Sequence, residues 1–446
     1  EILGNASGVD PSGVRYPDRA HQHQTAWVFT GLVGVGPGGI NDFVVGAAVK
    51  LKGVNDTNWE SDFRFFNPCG EPLDVRIEYQ PAGTNNSGGG LKFREFTLDE
   101  NETRVFSDIT EAIPDLADEE LTGSVNIESF SDSGCKVVSA SRTFNLTDNG
   151  TLGLFMPALP KKAVGSQFLD LTGLANNKSY RSNLRLVNLQ EEDALVWLTV
   201  LDRSGAPLAS RGVWVLGDST LQLNDILVWI TLDPSAKRSL FTVRVDPGGA
   251  DVQALGSFVD NTTGDSVLSL PSFQGENKLW LPGAAHNTGE NDSMWRTDLW
   301  LLNPTEDWMA GEVEYVVGDS SDDRYGFEWP VLGPGSVVSN PDIVGDLLGG
   351  AESLGYLVVT GKDGGPAPQV AARTYSLDPS GGTNGLGLPA FGSQQLLPSG
   401  EAGFIPGISN SANNDVGFRT NLGLLNTDQE NWSEVWVTLY DVDGVV

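Results

Sequence analysis

The nonapeptide FRTNLGLLN at residues 418–426 is the last of four related stretches. It follows WESDFRFFN at 59–67, YRSNLRLVN at 180–188 and WRTDLWLLN at 295–303. Successive starts lie 121, 115 and 123 residues apart. That spacing is far longer than a solenoid period, so each copy is a unit of domain size. The stretch has a two-residue period. Trp59, Ser61, Phe63 and Phe65 point one way and Glu60, Asp62 and Arg64 the other, which predicts a strand with one buried face. Each stretch closes on an asparagine, Asn67, Asn188, Asn303 or Asn426. Asparagine bonds nearby backbone and tolerates left-handed geometry, so it suits a strand end. A second strand-like run follows each time: LDVRIEY, ALVWLTVL, GEVEYVV and SEVWVTLY. Turn signals such as DRSG and DVDG come next, as a hairpin requires.

The rest of the unit recurs as well. LDENETRVFSDI, LGDSTLQLNDI and LGPGSVVSNPDI share a register, and each ends in an Asx before Ile that opens a short helix. Strand-like GSVNIES, FTVRVDP and GYLVVTG follow, then KVVSASRTF, VQALGSF and QVAARTY. The units close on MPAL, LPSF and LPAF. Six to eight short strands per unit with one helical turn predict an all-β chain of tandem β-sandwiches, three complete and one partial. The expected spans are 43–163, 164–277, 278–402 and the partial 403–446, after an N-terminal extension 1–42.

This pattern resembles the tandem immunoglobulin-like sandwich repeats of large secreted prokaryotic surface proteins. The motifs that carry the resemblance are FRTNLGLLN, VWVTLYDVDG and ARTYS with GLGLPAF, over residues 43–446. Antibody-type hallmarks are missing, since a cysteine pair occurs in one copy alone. The resemblance implies a spacer, adhesin or coat role rather than catalysis, at an extracellular or cell-surface location.

Composition narrows the partners. The 446 residues carry a net charge of −32. Phosphate binding needs clustered Lys and Arg, so no nucleic-acid partner is expected, and an anionic membrane is disfavoured for the same reason. No apolar run is long enough to span a membrane. The chain starts at Glu1 without the basic and apolar regions of a signal peptide, which fits a processed secreted protein. The two cysteines, Cys69 and Cys135, stand 66 positions apart within one copy. A bond between them is the expectation, against two separate buried thiols. It would add roughly 4 kcal/mol by restricting the unfolded chain, and an extracellular setting permits it.

Short motifs that invite chemistry fail against the repeats. GDST at 217–220 looks like a hydrolase nucleophile block around Ser219, but the same register reads GPGS and ENET in the other copies. A serine nucleophile also needs a histidine base, and only His21, His23 and His286 exist. His21 and His23 lack a third metal ligand nearby. DVDG at 441–444 and DSSDD at 319–323 lack the continuation of a calcium loop and read as turns. No catalytic residue, metal or cofactor is expected.

Two surface features remain. The chain holds ten N-x-S/T sequons. Asn55, Asn177 and Asn291 precede the first aromatic of the repeat in the same loop of three copies, and Asn145 and Asn261 are read as sharing another loop. These five are the glycosylation candidates, with covalent glycans as partners. Trp308 and Trp432 follow the closing asparagine by five and six residues and are candidates for sugar stacking or a protein interface.

The partial fourth copy supplies about three strands of a unit that elsewhere uses twice as many. Leu422, Leu424, Trp436 and Leu439 are expected to lie exposed without an opposite sheet, at roughly 1.5–3 kcal/mol for each side chain left unburied. Either the chain continues, or another subunit completes the fold. TAWVFTGLVGV at 25–35, with Trp27, Phe29 and Leu32, belongs to no repeat and is the candidate donor strand. The expected function is therefore an extracellular structural protein, a subunit of a filament, surface layer or adhesive stalk. It joins head to tail with other copies of the same chain. The alternative is an extracellular carbohydrate-binding module array.

Overall fold

A computed structural model describes residues 42–53, 57–116, 120–147, 150–161, 168–271, 275–289, 293–318, 323–409, 420–428 and 431–445. The expectations for His21, His23, Trp27, Phe29, Leu32, Asn55 and Asn291 fall outside these residues.

The described chain is all-β, with three short α-helices. The first copy holds β1 (Asp42–Lys52), β2 (Asn58–Phe66), β3 (Leu73–Pro81), β4 (Phe93–Leu98), β5 (Thr103–Phe106), α1 (Ile109–Ala112), β6 (Leu121–Phe130), β7 (Val138–Thr147) and β8 (Gly150–Pro160). The second holds β9 (Leu169–Asn176), β10 (Tyr180–Asn188), β11 (Ala194–Leu201), β12 (Pro207–Val215), β13 (Thr220–Leu223), α2 (Ile226–Thr231), β14 (Arg238–Asp246), β15 (Val252–Asp260) and β16 (Ser266–Ser269). The third holds β17 (Lys278–Thr288), β18 (Met294–Leu302), β19 (Met309–Val317), β20 (Arg324–Leu332), β21 (Val337–Asn340), α3 (Ile343–Leu348), β22 (Ser353–Gly361), β23 (Gln369–Leu377) and β24 (Thr383–Leu388).

One strand order serves all three. The second copy is two antiparallel layers, β12-β11-β14-β9 and β13-β10-β15-β16. The first copy repeats them as β4-β3-β6-β1 and β5-β2-β7-β8, and the third as β20-β19-β22-β17 and β21-β18-β23-β24. Register agrees residue by residue. Phe63 opposes Phe106 and Ser141, Leu184 opposes Leu223 and Gly256, and Leu299 opposes Asn340 and Ala372. Phe63, Leu184 and Leu299 are all buried, each in the apolar cluster of its own copy. Asp108 and Asp342 accept helix amides in front of α1 and α3, the capping that satisfies otherwise unpaired donors.

The Cys69–Cys135 disulfide is formed. It ties the segment after β2 to the segment before β7.

Residues 403–446 differ from expectation. None of their described residues lies in a strand. A strand exists only as part of a ladder, and among the described residues no strand pairs with the segments 420–428 and 431–445.

Successive copies meet through a recurring contact. At the first junction the tip of the β3–β4 hairpin reaches the start of β13: Gly83 N donates to Thr220 O and Ser219 Oγ to Pro81 O. At the second, the β11–β12 tip reaches the start of β21, where Val337 N donates to Arg203 O at 3.0 Å. A bulge in the first strand of each copy forms the other half. Arg185 Nη1 donates to Gly46 O at 3.2 Å, and a Cβ on Gly46 would stand 2.9 Å from Leu255. Gly173 sits likewise against Trp300. Arg185 and Trp300 occupy one register position, the residue after Leu184 and after Leu299.

Candidate assembly interface

The fourth copy keeps the internal fastenings of the repeat. One is a hydroxyl clasp. Ser61 Oγ accepts the amide of Val49 at 3.0 Å. Ser182 Oγ accepts from Ala175 N and donates back to its carbonyl, and Thr297 Oγ1 does the same with Ala285. In the fourth copy Thr420 Oγ1 accepts from Ser409 N at 3.0 Å and donates to Ser409 O at 2.9 Å.

The other fastening is the closing asparagine. Asn67 Nδ2 donates to the carbonyls of Glu71, Leu98 and Asp99. Asn188 Nδ2 donates to Glu192, Val215 and Leu216, and Asn303 Nδ2 to Asp307 and Leu332. All three asparagines are buried. Asn426 makes the near bond alone, from Nδ2 to Asn431 O at 2.8 Å, and is exposed. The far acceptors elsewhere belong to the ends of β4, β12 and β20.

The face behind these fastenings is open. Phe63, Phe65, Leu184 and Leu186 are 0% exposed, whereas their equivalents Leu422 and Leu424 are 44% and 60% exposed. In the second run, Ala194, Val196, Leu198 and Val200 of β11 face the core. Val435, Val437 and Leu439 take those positions and are more than half exposed. Trp436 needs correction. Its counterpart is Trp197, which points outward at 49% exposure, so Trp436 belongs to the outer face. Val435 and Val437 were missed because sequence alone leaves the one-residue insertion before SEVWVTLY unassigned.

The fourth copy also touches its neighbours in the chain. Leu425 packs with Trp280, Val316 and Val358 of the third copy. Thr103 N of β5 donates to Val442 O at 3.0 Å. The Phe66 ring packs at a tilt against Phe404 at 5.2 Å and Tyr440 at 6.3 Å between ring centres. A Cβ on Gly407 would collide with the Arg64 side chain, and one on Gly444 would lie 2.8 Å from Glu100 O. A cavity of about 1150 Å³ lies where the copies converge. Arg142, Leu154, Leu268, Trp300 and Leu386 are in its wall, with Gly407 and Val442 of the fourth copy.

Buried charge concentrates at the junctions. Arg185 is held among backbone carbonyls, donating to Gly46 O and Gly123 O, and burial pushes its pKa down to about 10. At the next junction Asp260 Oδ2 accepts from Thr383 N and Oγ1, and Asp265 Oδ2 accepts from Gly385 N. Burial pushes the Asp265 carboxyl up to about 7, against the bonds from Gly385 and Ser266 and the charge of Arg373. Arg373 pairs with Asp298 at 2.9 Å and lies over Tyr180, Phe258 and Tyr375.

The remaining candidates separate. Asn177 and Asn261 lie together at the loop end of the second copy: Asn261 Nδ2 donates to Lys178 O, and Asn177 Oδ1 accepts from Ser179 N and Tyr180 N. Asn145 is corrected. It is buried within β7, where its Oδ1 accepts from Asn58 N, because the strand runs on to Thr147, three residues past the end of KVVSASRTF. A glycan needs an accessible side-chain nitrogen. Trp308 and Trp432 are 73% and 84% exposed, and the Trp308 ring rests against Gly333. Ser219 is buried in the turn before β13. His286 Nδ1 lies 2.7 Å from Asp342, which Arg296 also meets.

Among the described residues, no group of three His, Cys, Asp or Glu is placed to hold a metal ion, and no helix is long and apolar enough to cross a membrane. No protein-family model matches the chain, and no curated protein matches it in sequence.

Proposed function

We propose that this chain is an extracellular structural protein, a subunit of a filament, surface layer or adhesive stalk. In this reading it assembles head to tail through the incomplete fourth copy and the N-terminal extension. One observation carries the reading. The fourth copy keeps the Thr420 clasp and the near half of the Asn426 tether, yet it exposes the leucines that three other copies bury. A face patterned for burial is sticky when uncovered. A segment with strand alternation and no ladder neighbour among the described residues is open to pairing with another copy of the chain as well as with a continuation of its own. The disulfide accords with an oxidising compartment. The test is negative-stain microscopy of the purified protein beside a variant lacking residues 1–42. Polymers from the full chain and none from the deletion are expected. A deletion variant that assembles equally well rules out the N-terminal extension as donor.

A second reading, a carbohydrate-binding array, is favoured by the exposure of Trp308 and Trp432 in corresponding loops. Exposed indole faces stack on sugar rings. Retention on polysaccharide columns that is lost in Trp308→Ala and Trp432→Ala would support it.

A further inference from the structure

The contact between the fourth copy and the first repeats the contact that joins the second copy to the third. Val442 stands in the fourth copy where Arg203 stands in the second, two residues after Tyr440 and Leu201. Thr103 stands in the first copy where Val337 stands in the third, since Phe66 opposes Thr103 and Leu302 opposes Val337. The two amide-to-carbonyl bonds are both 3.0 Å. The glycines two residues further on, Gly205 and Gly444, both have positive φ. A Cβ on Gly205 would collide with Pro334 O, and one on Gly444 would crowd the corresponding Glu100 O.

The bulge half of the junction matches as well. Gly46 meets Arg185, Gly173 meets Trp300 and Gly407 meets Arg64. Arg64, Arg185 and Trp300 hold one register position. The next apolar position matches too. Val187 packs into the core cluster of the first copy, Leu425 packs on the third, and Phe66 packs on Phe404 and Tyr440 of the fourth. One kind of heterologous surface pair therefore recurs between the first and second, the second and third, and the fourth and first copies.

We infer that the fourth copy's tip and bulge (Phe404, Gly407 and Tyr440–Gly444) and the β2–β5 edge of the first copy (Arg64, Phe66, Thr103) are the docking pair through which one chain joins a second copy of itself. The inference rests on the proposed structural role and names its contact. Within one chain the pair closes the molecule on itself. Between chains the same pair is exchanged, as in domain swapping, at little cost because no new contact type is required. A heterologous pair whose rotation does not close propagates into a filament. Raising chain concentration above the effective concentration of the internal contact favours the exchanged form.

The test uses two full-length single variants, Thr103→Cys and Val442→Cys, carrying different tags, mixed at high concentration and mildly oxidised. A disulfide-linked heterodimer is expected, with neither variant alone giving it. The double variant should give a ladder of covalent oligomers that lengthens with concentration. A double variant that links only within one chain at every concentration, while the mixed singles stay unlinked, overturns the inference. Thr103→Pro provides a second route. It removes the amide that Val442 accepts and spares the β2 side of β5, and at least a tenfold rise in the concentration needed for assembly is expected. Unchanged assembly overturns the pair. Filaments from the native chain without cross-linking in the mixture reject this docking pair and leave the structural role standing. A native chain that never polymerises rejects both.

Discussion

Asp265 of the second copy accepts the amide of Gly385 of the third at 2.7 Å, and Asp260 accepts the amide of Thr383 two residues earlier on the same outer edge of β24. Two carboxylates thus stand in for a neighbouring strand and cap an edge that would otherwise be open.

The burial that makes this cap also sets its pH dependence. The folded pKa of Asp265 is about 7 against an ordinary 3.8. The folded state therefore holds a proton that the unfolded state has released between about pH 4 and 7. Stability falls as pH rises through that window, by up to about 1.4 kcal/mol per pH unit, and levels off above it. Asp260 and Arg373 face the same carboxyl and modulate the midpoint. In Asp265→Asn, melting temperatures measured from pH 4.5 to 8 should lose this slope. An unchanged slope would assign it elsewhere.

The closing asparagines should divide sharply. Asn188→Ala leaves the carbonyls of Val215 and Leu216 without their donor in a buried site. A loss of about 1–3 kcal/mol is expected in urea unfolding. Asn426→Ala removes two exposed bonds, to Asn431 O and from Asp428 N, and a change within about 0.5 kcal/mol is expected.

The same contrast holds for the apolar face. Leu184→Ala and Leu299→Ala each empty a buried site and should cost about 2–5 kcal/mol. Leu422→Ala and Leu424→Ala alter exposed positions and should leave the melting temperature unchanged. Both should lower self-association measured by light scattering.

Replacing Cys69 and Cys135 with alanine opens a loop of 66 positions. The loss should be about 4 kcal/mol, borne by the first copy. A separate low-temperature transition in calorimetry, absent from the wild-type chain, is the expected reading.

Much of this protein is local and therefore legible from the chain. Strand alternation at Trp59–Phe65, the asparagine after each such strand, the helix starts at Ile109, Ile226 and Ile343, and the all-β class follow from side-chain period and turn chemistry. These need only neighbours within a few residues, and four internal copies checked one another. The loop assigned to Asn145 came from a strand end placed three residues short, and the wrong face assigned to Trp436 came from register. A shift of one residue turns a side chain to the other face, and nothing local reports it. The edge carboxylates Asp260 and Asp265 and the arginine Arg185 at Gly46 were not legible at all. Their partners, Thr383, Gly385 and Gly46, lie 123, 120 and 139 positions away. Charge in so acidic a chain gives no hint of which carboxylates are buried. Tertiary structure alone decided which copies touch and with which residues, because those contacts depend on how whole sheets stack. It brought Thr103 and Val442, 339 positions apart, within one hydrogen bond.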